Sequence, residues 1–179
     1  MLLLFEGVDK SGKSTLIKNF TANNYTPVWK NTVFKPVSST FSIGMIQGLY
    51  TGFYEGYKLC GRQPLFSILD RSHITEIVYA PVKRNYQANT TFWFEYEQKL
   101  EAVVVYVDTP HDTICERLDL TADDYVDYRD VSQIRMGYQE YLARTCLPVI
   151  RIDGSKSEVE MLNELNAKLN EYLRNKGRS

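Results

Sequence analysis

With 179 residues, 44% of them apolar and 24% charged, the chain has material for one globular core rather than two. A net charge of −1 excludes a protein that works by blanket attraction to DNA or RNA, so no stable nucleic-acid partner is expected. Cys60, Cys115 and Cys146 form no C-x-x-C pair and there are only two His, which excludes a disulfide framework and a structural zinc site. The apolar opening Leu2-Leu3-Leu4-Phe5 stops at Glu6, far short of the ~20 residues that span a membrane, so the expectation is a reduced, soluble, cytoplasmic protein with no membrane partner.

Apolar runs of strand length recur at 2–5, 65–69, 102–107 and 148–152, with a weaker one near 27–34. They are continuous rather than alternating, and helix-length segments separate them. That is the pattern of an α/β fold, a parallel sheet covered on both faces. A helix is expected at about 41–59, where Tyr50, Phe53, Tyr54 and Tyr57 recur at three- and four-residue steps. Another is expected over roughly 156–174, where Val159, Leu162, Leu165, Leu169 and Tyr172 mark one buried side. Residues 119–130 hold five Asp and no apolar period, and read as a surface loop or short hairpin. Charge is uneven: residues 1–100 carry 11 Lys/Arg against 7 Asp/Glu, and residues 101–179 carry 10 against 15. The first part of the chain can attract anions although the whole is near neutral.

Directly after the first strand stands Gly7-Val8-Asp9-Lys10-Ser11-Gly12-Lys13-Ser14-Thr15, leading into Leu16-Ile17 of a helix. This is the phosphate-binding pattern G-x-x-x-x-G-K-S/T in the strand–loop–helix setting it requires. A triphosphate has several negative charges and needs many N–H donors at once, and Gly7 and Gly12 have no Cβ to hold the backbone away. A helix starting at Lys13 adds its positive end. Lys13 is expected to bridge the β- and γ-phosphates of ATP, and Ser14 to place its hydroxyl on Mg²⁺, with the loop from Gly7 to Thr15 as the nucleotide cradle.

The stretch from Phe5 to Thr15 resembles the phosphate loop of the thymidylate kinases, which reads F-E-G-x-D-x-x-G-K-S/T. The resemblance implies that Asp9 faces the acceptor nucleotide; on the residues alone, Asp9 could equally cap the loop's own N–H groups. Asp70-Arg71-Ser72-His73-Ile74-Thr75-Glu76-Ile77-Val78-Tyr79 is similar to that family's D-R-Y-x-x-S-x-x-A-Y. This implies that Arg71 binds the acceptor phosphate and Tyr79 lies against the acceptor. Independently, the carboxyl end of a parallel strand is where such sheets hold ligands, and a guanidinium has the planar fork that a phosphoryl group needs. Asp70 could hold a Mg²⁺-bound water or accept from Arg71; a surface ion pair is the alternative reading. Val107 to Leu118 resembles the family's L-D-x-x-P-E-x-x-x-x-R, which implies that Arg117 enters a lid near ATP, although Pro110 and Asp112 also suit a helix start. Ile152-Asp153-Gly154-Ser155 resembles its adenine-facing loop. Taken over the whole chain, the resemblance implies a single P-loop kinase domain: a three-layer sandwich with a parallel five-stranded sheet, helices on both faces and a short lid at about 119–130. Small-molecule nucleotides are the implied partners, and a homodimer is compatible with it.

Three departures shape the expected chemistry. The family's lid carries R-G-x-x-D-R, whereas residues 119–124 are Asp-Leu-Thr-Ala-Asp-Asp, so Lys10 in the loop is the candidate replacement cation, with a solvated lysine as the alternative. Arg129 is crowded by Asp127 and Asp130. The family's R-E-P-G-G becomes Phe34-Lys35-Pro36-Val37-Ser38. The rival deoxynucleoside kinases use a carboxylate in an E-P-V frame to deprotonate a sugar hydroxyl, and a protonated Lys35 cannot do that. A phosphate acceptor needs no such base, and Lys35 could help bind it. Finally, the arginine that holds the base in the family is missing from 41–59. Phe53 or Tyr54 could stack on a base there, or the stripe could be core. The expected activity is ATP- and Mg-dependent phosphoryl transfer to a (deoxy)nucleoside monophosphate, dTMP or a related pyrimidine nucleotide first. Deoxynucleoside phosphorylation, or nucleotide binding with little turnover, are the alternatives.

Overall fold

The structure is a computed structural model and describes residues 1–24, 28–30, 43–59, 66–120 and 126–177. Five parallel strands, β1 (Leu2–Glu6), β2 (Val28–Lys30), β3 (Ser67–Asp70), β4 (Ala102–Asp108) and β5 (Val149–Asp153), lie in the order β2-β3-β1-β4-β5. The body of the sheet is β3-β1-β4-β5; β2, of three residues, is added at the outer edge of β3. Helices alternate with the strands: α1 (Lys13–Asn24), α2 (Ile43–Leu59), α3 (His73–Lys83), α4 (Thr90–Glu97), α5 (His111–Leu120), α6 (Tyr128–Leu142) and α7 (Glu158–Lys176).

The alternating side chains of β1 explain the layers, because successive residues on a strand face opposite ways. Leu3 and Phe5 join Leu16, Ile17 and Phe20 of α1 and Met161, Leu165 and Leu169 of α7 in one apolar cluster. Leu2 and Leu4 join a second cluster that includes residues of α2 to α6, with Tyr54, Tyr79, Trp93 and Tyr138 fully buried in it. Both faces of the sheet are thus covered, as the unbroken apolar runs predict. Among the described residues no helix is long and apolar enough to cross a membrane.

Two local expectations are corrected, and the structure chooses between two readings of a third segment. Val159 is exposed, and the buried side of α7 runs through Met161, Leu165 and Leu169 instead; Leu162 and Tyr172 flank it. Met161, Leu165 and Leu169 recur at four-residue steps on one side of the helix, and Val159, two residues before Met161, lies on the other. The acidic segment is partly helical. Asp119 and Leu120 end α5, while Asp127 and Asp130 cap α6 in a second box; residues 121–125 lie outside the described residues. The aromatic stripe of α2 is core. Tyr54 is fully buried with its hydroxyl 2.7 Å from His73 Nδ1, Tyr50 packs edge-on to Trp93, and Phe53 packs on the same cluster. Neither Phe53 nor Tyr54 lines the cleft described below, because this face of α2 is spent on α3 and α4.

Candidate active site

The site forms where β1, β3, β4 and β5 end. After Glu6 the chain makes a tight loop, closed by the Ser11 N–H on Val8 O at 3.1 Å, and α1 begins at Lys13. Lys10 (φ 63°) and Gly12 (φ 94°) are both left-handed, which curls the backbone and turns its amides inward. Gly12 allows this at no steric cost; Lys10 does not. The loop is pinned from β4 and β5. Thr109 Oγ1 donates to Ser11 O at 2.8 Å, and Arg117 donates from Nη1 to Lys10 O at 3.0 Å and from Nη2 to Gly154 O at 2.9 Å. Arg117 is therefore beside the loop, with its guanidinium bridging two backbone segments.

Two cations define the chemistry. Lys13 is buried, and its Nζ donates to Asp70 Oδ1 at 2.5 Å. Burial lowers its pKa and the nearby Arg71 lowers it further, while Asp70 and Glu6 act the other way. Arg71 follows Asp70 at φ 70°, a left-handed backbone that costs a non-glycine residue about 1–3 kcal/mol and persists only where the surroundings enforce it. Its guanidinium pairs with the Asp9 carboxylate and lies 5.2 Å from the centre of the Tyr79 ring. Burial opposes the charge, but Tyr79 and Asp9 outweigh it and hold the arginine well above its usual range. Tyr79 donates from its hydroxyl to Asp9 Oδ2 at 3.0 Å and accepts the Asp9 N–H at 3.1 Å. Burial pushes the Tyr79 pKa up, which keeps it a donor.

Two pairings differ from the alternatives that the residues left open. The Asp9 carboxylate turns to Arg71 and Tyr79 rather than capping the loop, and Asp70 accepts from Lys13 rather than from Arg71. Tyr79 is buried beneath Arg71, so it supports the arginine. Lys35 lies outside the described residues.

Lys13, Asp70, Arg71 and Arg117 line one cleft of about 840 Å³ together with the loop from Val8 to Thr15 and, on the far side, Lys156, Ser157 and Met161 of the β5–α7 region. That size accommodates a nucleotide-sized ligand. Among the described residues no cluster of three or more His, Cys, Asp or Glu could hold a metal by itself. The exposed Ser14 hydroxyl and the Asp70 carboxylate supply oxygens of the kind Mg²⁺ takes, so the residues fit an ion that arrives with phosphate oxygens and water completing its shell. Lys156 and Met161 were not legible as site residues, because the turn after any such strand looks alike. Glu6 was also missed; a carboxylate closing an unbroken apolar strand is the signal that could have found it.

The chain matches no protein-family model and no curated protein. It is similar in structure to YorR from Bacillus subtilis, solved in complex with phosphorylated GDP: the TM-score is 0.76 at 21% identity, over 95% of this chain and 96% of that one. It is similar also to deoxyadenosine kinase from M. mycoides, with a TM-score of 0.69 at 17% identity for the dCTP complex and 0.68 at 14% for the complex with dCMP and dCDP. Each comparison covers 96% of this chain and 100% of that one. The chain thus shares its fold with these nucleotide-bound structures, with the glycine-rich loop and the Asp70-Arg71 turn at the ends of adjacent strands.

Proposed function

We propose that the chain transfers the γ-phosphoryl group of ATP to a (deoxy)nucleoside monophosphate, with dTMP or a related pyrimidine nucleotide as the first candidate from the resemblance to thymidylate kinases. The observation that carries this reading is the pair of cations, the buried Lys13 after β1 and the half-buried Arg71 after β3, in one cleft. Each is held by a carboxylate, Asp70 and Asp9, that a phosphate group can replace as partner. The loop amides and Lys13 would hold the donor phosphates, Arg71 the acceptor phosphate, and Arg117 the loop itself. Mg²⁺ bound through Ser14 and Asp70 would neutralise charge on the phosphate oxygens. Phosphoryl transfer asks little covalent chemistry of the protein; orientation and fixed charge account for most of it. A phosphate acceptor is already anionic, which suits a cleft in which Asp70 and Asp9 are each engaged by a cation. Phosphorylation of a deoxynucleoside is the second reading, favoured by the likeness to deoxyadenosine kinase and by Asp70-Arg71-Ser72.

The test is ADP release across the common nucleosides and nucleoside monophosphates, supplied side by side. Turnover is expected with a monophosphate and not with its nucleoside; the reverse preference supports the second reading and overturns the first. Lys13→Ala should reduce kcat by on the order of 10²-fold or more. Arg71→Ala should act mainly on the KM of the acceptor, and an unchanged acceptor KM would remove Arg71 from its assigned role.

A further inference from the structure

Glu6 is the one charged residue of β1 and is fully buried. Its Oε1 accepts both the backbone N–H and the hydroxyl of Ser72 at 2.6 Å, and its Oε2 accepts the hydroxyls of Thr75 at 2.5 Å and Tyr138 at 2.9 Å. All four partners are donors and none carries charge, so these hydrogen bonds satisfy the buried carboxylate, with Lys13 as a nearby cation. The donors come from the turn after β3, from α3 and from α6. Tyr138 also reaches Gly7 O at 3.5 Å, the first residue of the phosphate loop.

The position of Ser72 gives this cluster its meaning. Arg71 has a left-handed backbone that an arginine does not adopt unaided. Its own N–H donates to Phe5 O at 3.1 Å, and the next N–H along the chain donates to Glu6. The strained residue is thus fastened on both sides to consecutive residues of β1, the strand that runs directly into the loop carrying Lys13.

We propose that Glu6 is a positioning residue for Arg71: it locks the turn after β3 so that the guanidinium stands at a fixed place relative to the phosphate loop. The proposal rests on reading the cleft as a site for two phosphate-bearing ligands. A carboxylate that merely stabilised the fold would weaken donor and acceptor binding together; a positioning residue for Arg71 acts on the acceptor side.

The experiment uses the full chain with Glu6→Gln, which keeps the shape and removes the charge, and Tyr138→Phe, which removes one donor and keeps the ring. For Glu6→Gln the expected result is an acceptor KM raised at least ~10-fold, with the Kd of the Mg²⁺ complex of a non-hydrolysable ATP analogue within ~3-fold of the parent. Adding Arg71→Ala to Glu6→Gln should then cost little more, since residues acting through one another are not additive. Equal losses on both sides, or fully additive losses, overturn the proposal. Tyr138→Phe should shift the acceptor KM in the same direction by a smaller factor, and it decides the matter if Glu6→Gln does not fold: no acceptor-side shift overturns the proposal. A crystal structure of Glu6→Gln, or of Tyr138→Phe in its place, needs no turnover. Displacement of Arg71 from Asp9 supports the proposal, and an Arg71 unchanged in backbone and partner overturns it. If the parent chain phosphorylates no acceptor, the proposed function fails, and this crystallographic result alone decides the role of Glu6.

Discussion

At Lys13, burial and the neighbouring Arg71 both favour the neutral amine, and Asp70 and Glu6 favour the ammonium. A phosphate bound at this nitrogen requires the ammonium, so binding takes up a proton wherever the free lysine has lost it. Between the lowered pKa and the usual 10.5, affinity for a non-hydrolysable ATP analogue with Mg²⁺ should therefore fall as pH rises. Calorimetric titration at successive pH values checks this; an affinity that stays flat up to the ordinary lysine range would contradict it. Lys13 and Arg71 were legible in the sequence because motif and strand end coincide there. What the sequence could not supply was pairing: that Asp70 takes Lys13, and Asp9 takes Arg71, depends on the left-handed turn at Arg71, and nothing in the letters Asp-Arg-Ser announces it. Glu6 was read as the end of an apolar run and as a letter of the phosphate-loop resemblance, with no role of its own. Its donors are 66, 69 and 132 residues away in the chain, beyond the reach of any local pattern.

Among the connecting elements, the turn from β5 to α7 bears most directly on the site. Gly154 donates its N–H to Asp108 O at 2.9 Å and gives its carbonyl to Arg117. A Cβ at this position would lie 1.9 Å from Thr109 Oγ1 and 2.7 Å from Ser11 O. Gly154→Ala should thus destabilise the chain by about 1–3 kcal/mol, the usual cost of overpacking, and loosen the phosphate loop with it. Urea denaturation and the analogue Kd measure the two effects. Gly177→Ala is the control: the nearest atom to a new Cβ is 3.5 Å away and φ is −77°, so stability should hold or rise by up to about 1 kcal/mol. Element identity was legible for the strands and for α1, α2 and α7, since unbroken apolar runs and helical spacing are strong signals; the ends of α5 and α6 that flank the acidic segment were not. Phase and ends were less so. Two capping boxes, at Asp127 and Ser157, set where α6 and α7 start, and in α7 the buried side runs through Met161, Leu165 and Leu169 and leaves Val159 exposed.

Over the whole molecule, buried tyrosines stand out. Tyr54, Tyr79, Tyr138 and Tyr141 all have pKa values raised by burial, with Glu6 adding at Tyr138 and Glu97 at Tyr141. For a group whose folded pKa is raised, the stabilising contribution is complete below the unfolded value of 10.0 and is lost as pH climbs above it. Several such groups in one core should make alkaline unfolding steep and cooperative, with tyrosine ionisation, followed by ultraviolet absorbance, appearing together with loss of far-ultraviolet circular dichroism. Ionisation of all tyrosines near pH 10.0 while the fold persists would contradict this. The α/β class and both covered faces followed from the sequence, whereas the aromatic cluster around His73 and Trp93 did not, because the same stripe on α2 suits a core or a stacking platform. One property of the sheet remains to be drawn out. Phe5 and Asp70 are partners in register on neighbouring strands, and parallel strands keep a spacing of about 4.8 Å. The spacing between the turns that carry Lys13 and Arg71 is therefore measured by main-chain pairing. A slip of one residue along β3 would send its side chains to the opposite face, so this ruler resists gradual adjustment, and a ligand of different reach must be accommodated by the loops around it.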